Sequence, residues 1–281
     1  IDAEIMERFR EDFPDAESFD DAEGLCASRN VELVYIATPN RFHTEHARMA
    51  LESKKHVLIE KPMTIDITGA EQMIATAKRN GVLLGVNVKH SFEPRVLRLR
   101  EMARNGELGR LRMINSWRFV DWLYRPRTAE ELTPEFGGGI LWRQGAHHFD
   151  LIRTIAGGMG RSLRGTADIW DPNRRVAGCY SAYLDFEDGT VASVICSGYD
   201  HFNSMEFVQR FSVGPANHAK ARRELSATPD VDWEARAARE ERYGGARTRG
   251  NEPQPAQPSL VWIMVGPVIA SFDKGEGRVD P

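Results

Sequence analysis

The chain has 281 residues, 41% of them hydrophobic and 28% charged, with 37 Lys and Arg against 41 Asp and Glu and a formal net charge of −4. This is the mixture of a globular protein large enough to bury one or two cores without staples, and it excludes long disorder and a collagen repeat. The small negative charge gives no general attraction to nucleic acid or anionic lipid, so neither is expected as a partner.

Ten acids against two bases lie between Ile1 and Leu25, unlike the basic start and apolar stretch of a secretory signal, and no export is expected. From Val31 to about Val88 short apolar runs alternate with helical periodicity. Val34 to Ala37, His56 to Ile59 and Val82 to Val86 read as strands, with helices over Thr44 to Lys54 and Gly69 to Arg79 between them. Strands separated in this way pair in parallel and carry the helices on the sheet, a doubly wound α/β layout.

After a helix over Pro94 to Arg104 and a turn over Asn105 to Gly109 the texture changes. Leu111 to Val120, Leu163 to Ile169, Cys179 to Phe186 and Thr190 to Ser197 read as strands, Glu187-Asp188-Gly189 is a hairpin turn, and such neighbours are expected to pair antiparallel. One helix, Ala146 to Ala156, interrupts them and stops at Gly157-Gly158. Helices then cover one face of the sheet. Trp117, Phe119, Tyr183 and Phe186 are large residues for the other, which predicts that a second copy packs there in a homodimer or homotetramer.

Ala221 to Arg249 reads as an exposed, charge-interleaved helix and Asn251 to Pro258 as a Pro-rich loop. The apolar run Leu260 to Phe272, broken by Gly266-Pro267, is shorter than the roughly 18 residues of a bilayer span and belongs in a core, so no membrane partner is expected. Cys26, Cys179 and Cys196 form no CxxC pair and have no zinc-site spacing, which points to buried thiols in a reducing cytoplasm and to no bound metal.

Core packing explains neither of two constellations. Thr38-Pro39-Asn40-Arg41-Phe42-His43 and Glu60-Lys61-Pro62 each follow the C-terminal end of a parallel strand, where open α/β sheets bind ligands. Gly137-Gly138-Gly139 leads through Leu141, Arg143 and Gly145 to His147-His148-Phe149-Asp150, and Arg143 and His147, four apart, share a helical face. Each has a plainer reading, a turn for Lys61-Pro62 and a structural role for a histidine at a helix start.

Together these segments resemble the Gfo/Idh/MocA family of NAD(P)-dependent oxidoreductases, through Thr-Pro-Asn-x-x-His, Glu-Lys-Pro and Gly-Gly-Gly-x-Leu-x-x-x-Gly-x-His-x-x-Asp. Leu141-Trp142-Arg143-Gln144-Gly145 and the charged insertion after Phe211 look most like the phthalate 4,5-dihydrodiol dehydrogenase branch. The resemblance implies an incomplete doubly wound Rossmann domain over residues 1–88, then an α+β substrate and dimerisation domain over 89–281 with an open, mainly antiparallel sheet. Family members begin with a strand, a GxGxxG turn, a helix and a second strand; no GxGxxG occurs here, and Ile1 to Phe13 looks like the helix after that second strand. The expectation is therefore either an N-terminally truncated sequence or a relative with impaired cofactor binding, because backbone N–H groups at that turn are the main anchor of a dinucleotide.

The resemblance also implies the roles. NAD or NADP would meet Thr38, Pro39, Asn40, His43, Glu60, Lys61, Pro62 and Asn87; His147 would be the base and Lys61 the electrostatic stabiliser; Arg143, His148 and His90 would contact a small-molecule substrate. Where most of the family has an Asp beside the catalytic His, this chain has Arg143. A cation there favours a neutral imidazole and offers a bidentate carboxylate receptor, which points to an acidic substrate. The plainer alternative is a local salt bridge from Arg143 to Asp150 or Glu135. The implied reaction is oxidation of a cyclic secondary alcohol or cis-dihydrodiol; the alternatives are a sugar or inositol dehydrogenase and a cofactor-impaired, non-catalytic relative.

Overall fold

The computed structural model describes residues 3–120, 122, 126–199, 204 and 266–279. The expected helix over Ala221 to Arg249, the loop over Asn251 to Pro258 and the first part of the Leu260 to Phe272 run lie outside the described residues. The described residues form two units, 3–87 and 88–279.

Unit 1 runs α1 (Ala3–Asp12), α2 (Ala22–Ala27), β1 (Leu33–Ile36), α3 (His43–Glu52), β2 (His56–Glu60), α4 (Ile67–Asn80) and β3 (Leu84–Asn87). The strands lie in the order β1-β2-β3 and are all parallel, with Ile36 beside Ile59 and Glu60 beside Asn87. Parallel pairing needs a crossover, and α3 and α4 supply it. Ala47, Ala50 and Leu51 of α3 and Met73 and Ala77 of α4 are buried with Ile36, Val57 and Ile59, and the alanines let helix and sheet approach closely. The N-terminus of α4 is fixed by Asp66, whose carboxylate accepts from the Gly69 amide at 2.6 Å.

Unit 2 runs α5 (Pro94–Asn105), β4 (Leu111–Phe119), α6 (Ala146–Ala156), β5 (Gly160–Asp168), β6 (Cys179–Phe186), β7 (Val191–Ser197), β8 (Val268–Phe272) and β9 (Gly275–Val279). Its sheet has the order β5-β6-β7-β4-β8-β9. All pairs are antiparallel except β4 with β7, which run parallel. The sheet is thus mainly antiparallel, as expected, with one parallel pair inside it. The β4 and β7 strands are not consecutive, and the connection through α6, β5 and β6 is long enough for the crossover a parallel pair requires.

Along β4 burial alternates: Ile114, Ser116 and Arg118 turn to the side packed by the helices, and Met113 and Trp117 to the other. The core joins Val96 and Leu99 of α5, Leu151, Ile152 and Ile155 of α6, and Ile114, Val194 and Phe272 of the sheet. Each such side chain contributes about 1.5–3 kcal/mol by leaving water. Phe186 also belongs to this core, at 1% exposure, which corrects its assignment to the open face; Tyr183 is on that face at 48%. Edge strand β5 is exposed along its whole length. Among the described residues no helix is long and apolar enough to cross a membrane.

Candidate active site

The three strand ends of unit 1 carry one polar network. Register makes Asn87 the direct neighbour of Glu60 and puts Tyr35 diagonally across from it. The Tyr35 hydroxyl donates to Glu60, and Asn87 Nδ2 donates to Glu60 Oε1 at 2.7 Å and to the Tyr35 oxygen at 3.2 Å. The Lys61 amide reaches Glu60 Oε2 at 3.3 Å. Burial opposes ionisation of Glu60, but the bonds from Tyr35, Asn87 and the Lys61 amide outweigh it and hold the carboxyl below its usual range. The same bond to Glu60, with desolvation, raises the Tyr35 phenol. An ionised, three-bonded Glu60 thus fixes the backbone from which Lys61 projects; the Lys61–Pro62 peptide is cis.

His43 begins α3 and is 1% exposed. Its Nδ1 faces the Pro62 carbonyl at 2.8 Å and its Nε2 the Thr38 carbonyl at 2.8 Å, so both ring nitrogens are spent joining the Thr38 and Pro62 loops. Thr38 Oγ1 also meets His46 Nδ1 at 3.1 Å, and Asn40 is buried at the start of a short 3₁₀ turn. The structure therefore brings Thr38, Pro39, Asn40, Glu60, Lys61, Pro62 and Asn87 to the C-terminal side of one sheet, and makes His43 the clamp beneath them. The C-terminal side of a parallel sheet is where Rossmann-type folds bind a dinucleotide. The start of α4 does not fit its phosphates, because the Asp66 carboxylate already occupies it and a Cβ at Gly69 would lie 3.0 Å from oxygens of Asp66, Thr44 and Thr64.

In unit 2 the glycine run serves its own backbone. A Cβ at Gly138 would lie 2.7 Å from the carbonyl oxygens of Glu131 and Thr133, and the Gly138 and Gly139 amides donate to those same oxygens at 3.0 Å each. This close approach lays residues 128–136 against the start of the π-helical turn Leu141–Gly145 that leads into α6. It thereby brings Glu131 to Arg143, with Arg143 Nη2 3.0 Å from Glu131 Oε1 and Arg127 Nη1 3.6 Å from the same oxygen. Glu131 is thus a salt-bridge partner of Arg143, and the Arg143 side chain keeps 31% exposure. Burial disfavours the Glu131 carboxylate, but Arg143, the Thr128 amide and Arg127 together hold it below the usual range. Arg127 is itself held on the Trp122 carbonyl at 2.9 and 2.6 Å and over the indole ring at 4.4 Å.

His147 and His148 are adjacent on α6, so their side chains leave the helix about 100° apart and find different partners. His148 is 1% exposed, with Nε2 2.6 Å from Ser116 Oγ and Nδ1 3.0 Å from the Tyr180 hydroxyl. Desolvation, then the nearby Arg118 cation, lowers its pKa from 6.5 to about 3, while desolvation pushes the Tyr180 phenol up. That geometry gives His148 a supporting place in the core. Arg118 Nη1 in turn donates to Gln144 Oε1 at 2.6 Å and ties the π-helical turn to β4.

His147 takes the other direction. Its ring lies edge-to-face with that of His90, centroids 4.6 Å apart and planes at 73°, and the two are 8% and 2% exposed. Ser91 donates its hydroxyl to Asp150. His147 and His90 are therefore in contact, and Arg143 stands four residues before His147 in the π-helical turn that leads into α6. Tyr35, Ser91, Ser116, Arg118, Arg127, Glu131 and Tyr180 join these networks without belonging to either sequence constellation. Tyr35, Ser116, Arg118 and Tyr180 carry a local signal, each a polar group inside a strand run.

Two family profiles match the chain: an oxidoreductase family with NAD-binding Rossmann fold over residues 2–88, and a GFO/IDH/MocA C-terminal domain over residues 96–245. A 1-carboxy-3-chloro-3,4-dihydroxycyclohexa-1,5-diene dehydrogenase of Comamonas testosteroni is 43% identical over 201 residues, covering 72% of this chain and 51% of the relative. A scyllo-inositol 2-dehydrogenase (NADP(+)) of Bacillus subtilis strain 168 is 31% identical over 194 residues, covering 68% and 52%. The chain thus spans about half the length of these curated relatives. A solved structure from Bordetella bronchiseptica RB50, assigned provisionally as a dehydrogenase, superposes with a TM-score of 0.84 at 33% identity, covering 100% of this chain and 72% of the other. With both profiles matched in order and the motif residues gathered at the strand ends and on α6, the chain belongs to the Gfo/Idh/MocA family of oxidoreductases with an NAD-binding Rossmann fold.

Proposed function

We propose that the protein is an NAD(P)-dependent dehydrogenase that oxidises a cyclic secondary alcohol or cis-dihydrodiol bearing a carboxylate. The observation that carries the reading is Arg143, a partly exposed guanidinium held by Glu131 one helical turn before His147. A planar guanidinium is the natural receptor for a carboxylate, and the Comamonas testosteroni relative is named for a carboxylated dihydroxy-diene. When bound, NAD(P) supplies the nicotinamide ring that accepts the hydride from the alcohol carbon. His147 takes the hydroxyl proton and Arg143 holds the carboxylate. For a cis-dihydrodiol the product is a catechol, so aromatisation adds driving force.

The test uses the full-length protein with a carboxylated and a neutral cis-dihydrodiol, following formation of reduced nicotinamide. His147→Ala lowers kcat by a factor of about 10² to 10⁴ on both substrates, the scale of general-base assistance. Arg143→Ala raises KM for the carboxylated diol by about ten- to a hundredfold, the worth of one or two charge-assisted hydrogen bonds, and hardly changes that for the neutral one. Equal changes for the two substrates overturn the carboxylate assignment, and turnover of inositols in place of diols favours the sugar or inositol reading.

A further inference from the structure

Resting on the assignment of His147 as the base, we propose that the short turn Lys89–Phe92 is a brace for that base, with His90 as its wall and the Ser91–Asp150 bond as its latch. Two adjacent residues of the turn meet two residues of one face of α6. His90 meets His147 edge-to-face at 4.6 Å, and the Ser91 hydroxyl donates to Asp150, three residues further along the helix.

The chemistry requires such a device. A histidine base must present one particular ring nitrogen to the substrate hydroxyl, yet rotation about the bond joining its ring to Cβ is soft, with broad wells. A second ring packed at 73° against it leaves far less room for that rotation. The wall must itself stay in place, and the backbone of this turn is a single 3₁₀ turn with little strength of its own. A hydroxyl bonded to a carboxylate is a short, strong hydrogen bond, and here it pins the turn to the same helix that carries the base. Asp150 is in turn met by Arg153 at 3.6 Å, which keeps its charge on the helix surface beside Ser91. His90 is 2% exposed and packs against the ring of the base. His90 and Ser91 are positioning residues, acting through His147.

The experiment compares Ser91→Ala, Ser91→Thr, His90→Ala, His90→Phe and His147→Ala in the full-length protein, by steady-state kinetics and by NMR of the His147 ring. Ser91→Ala and His90→Ala lower kcat by about ten- to a hundredfold, the scale of a misplaced catalytic group, with KM unchanged. Ser91→Thr and His90→Phe, which keep the hydroxyl and the ring face, restore most of it. In Ser91→Ala the His147 ring protons also move, because the ring current of His90 no longer falls on them in the same place. The brace is refuted if Ser91→Ala leaves those signals in place, or if His90→Phe is as slow as His90→Ala, since a ring nitrogen and not a wall would then be at work. If His147→Ala retains turnover, the base assignment fails by itself; the brace is then decided by the ring signals, which Ser91→Ala still shifts if the latch is real.

Discussion

Replacing Glu131 by Gln removes one negative charge from between two guanidiniums and keeps the shape. The carboxylate is 11% exposed, Arg127 14% and Arg143 31%. At about 3 Å and an effective dielectric of about 20, each ion pair is worth about 5 kcal/mol before desolvation, and the desolvation of so buried a carboxylate cancels much of it. Breaking a buried pair by removing one partner costs about 3–5 kcal/mol, and because Arg143 can turn toward water the cost here falls at or just below that range, about 2–3 kcal/mol. With a urea dependence of about 2 kcal/mol per molar, the unfolding midpoint falls by about 1 M. The pH dependence fixes the cause. Glu131 is held below the usual carboxylate range, so its stabilisation is fully present above the unfolded value of about 4.3 and is lost as pH falls through the lower folded value. Urea titrations of wild type and Glu131→Gln at steps from pH 8 to pH 3 therefore show a constant gap down to about pH 5 that closes below about pH 4. A gap of the same size at pH 3 and pH 8 refutes the electrostatic account and leaves only packing.

Two further expectations come from unit 2. His148 has its pKa depressed from 6.5 to about 3, so the unfolded chain takes up a proton there that the folded chain refuses; stability is present above pH 6.5 and declines toward pH 3. NMR shows the His148 ring neutral at pH 5, and a protonated ring at that pH refutes the burial argument. The open sheet face, with Met113 at 41% and Tyr183 at 48% exposure, is proposed to pack on a second copy. Light scattering then gives at least twice the chain mass and Tyr183→Glu lowers it, whereas a single-chain mass at micromolar concentration counts against the interface.

The sequence carried unit 1 well because each of its signals is local. An apolar run such as His56 to Ile59 falls within the element that it defines. Unit 2 was harder. Gly275-Glu276-Gly277 offers no apolar run, yet it forms most of β9, because an edge strand needs backbone pairing more than side-chain burial. The parallel pairing of β4 and β7 is a choice of partner across about seventy residues, which no local pattern encodes. At the site, Arg143 was found from its spacing to His147, but its partner Glu131 arrives through backbone bonds of Gly138 and Gly139, a tertiary event. The resemblance implies His148 as a substrate contact, whereas the helical rotation between it and His147 sends it to Ser116 and Tyr180.

The position of the β8–β9 hairpin has a consequence for biosynthesis. The inner strand β4 pairs on one side with β8, and the ion pair Arg112–Asp273 joins residues 161 apart. At a synthesis rate of about 5–20 residues per second, a ribosome takes about ten to thirty seconds to travel that distance. Throughout that interval β4 presents an unpaired, half-apolar edge of Leu111, Ile114 and Trp117, the kind of edge to which other nascent chains add. A translational pause between β7 and β8 is therefore expected to lengthen the time in which that edge can go astray.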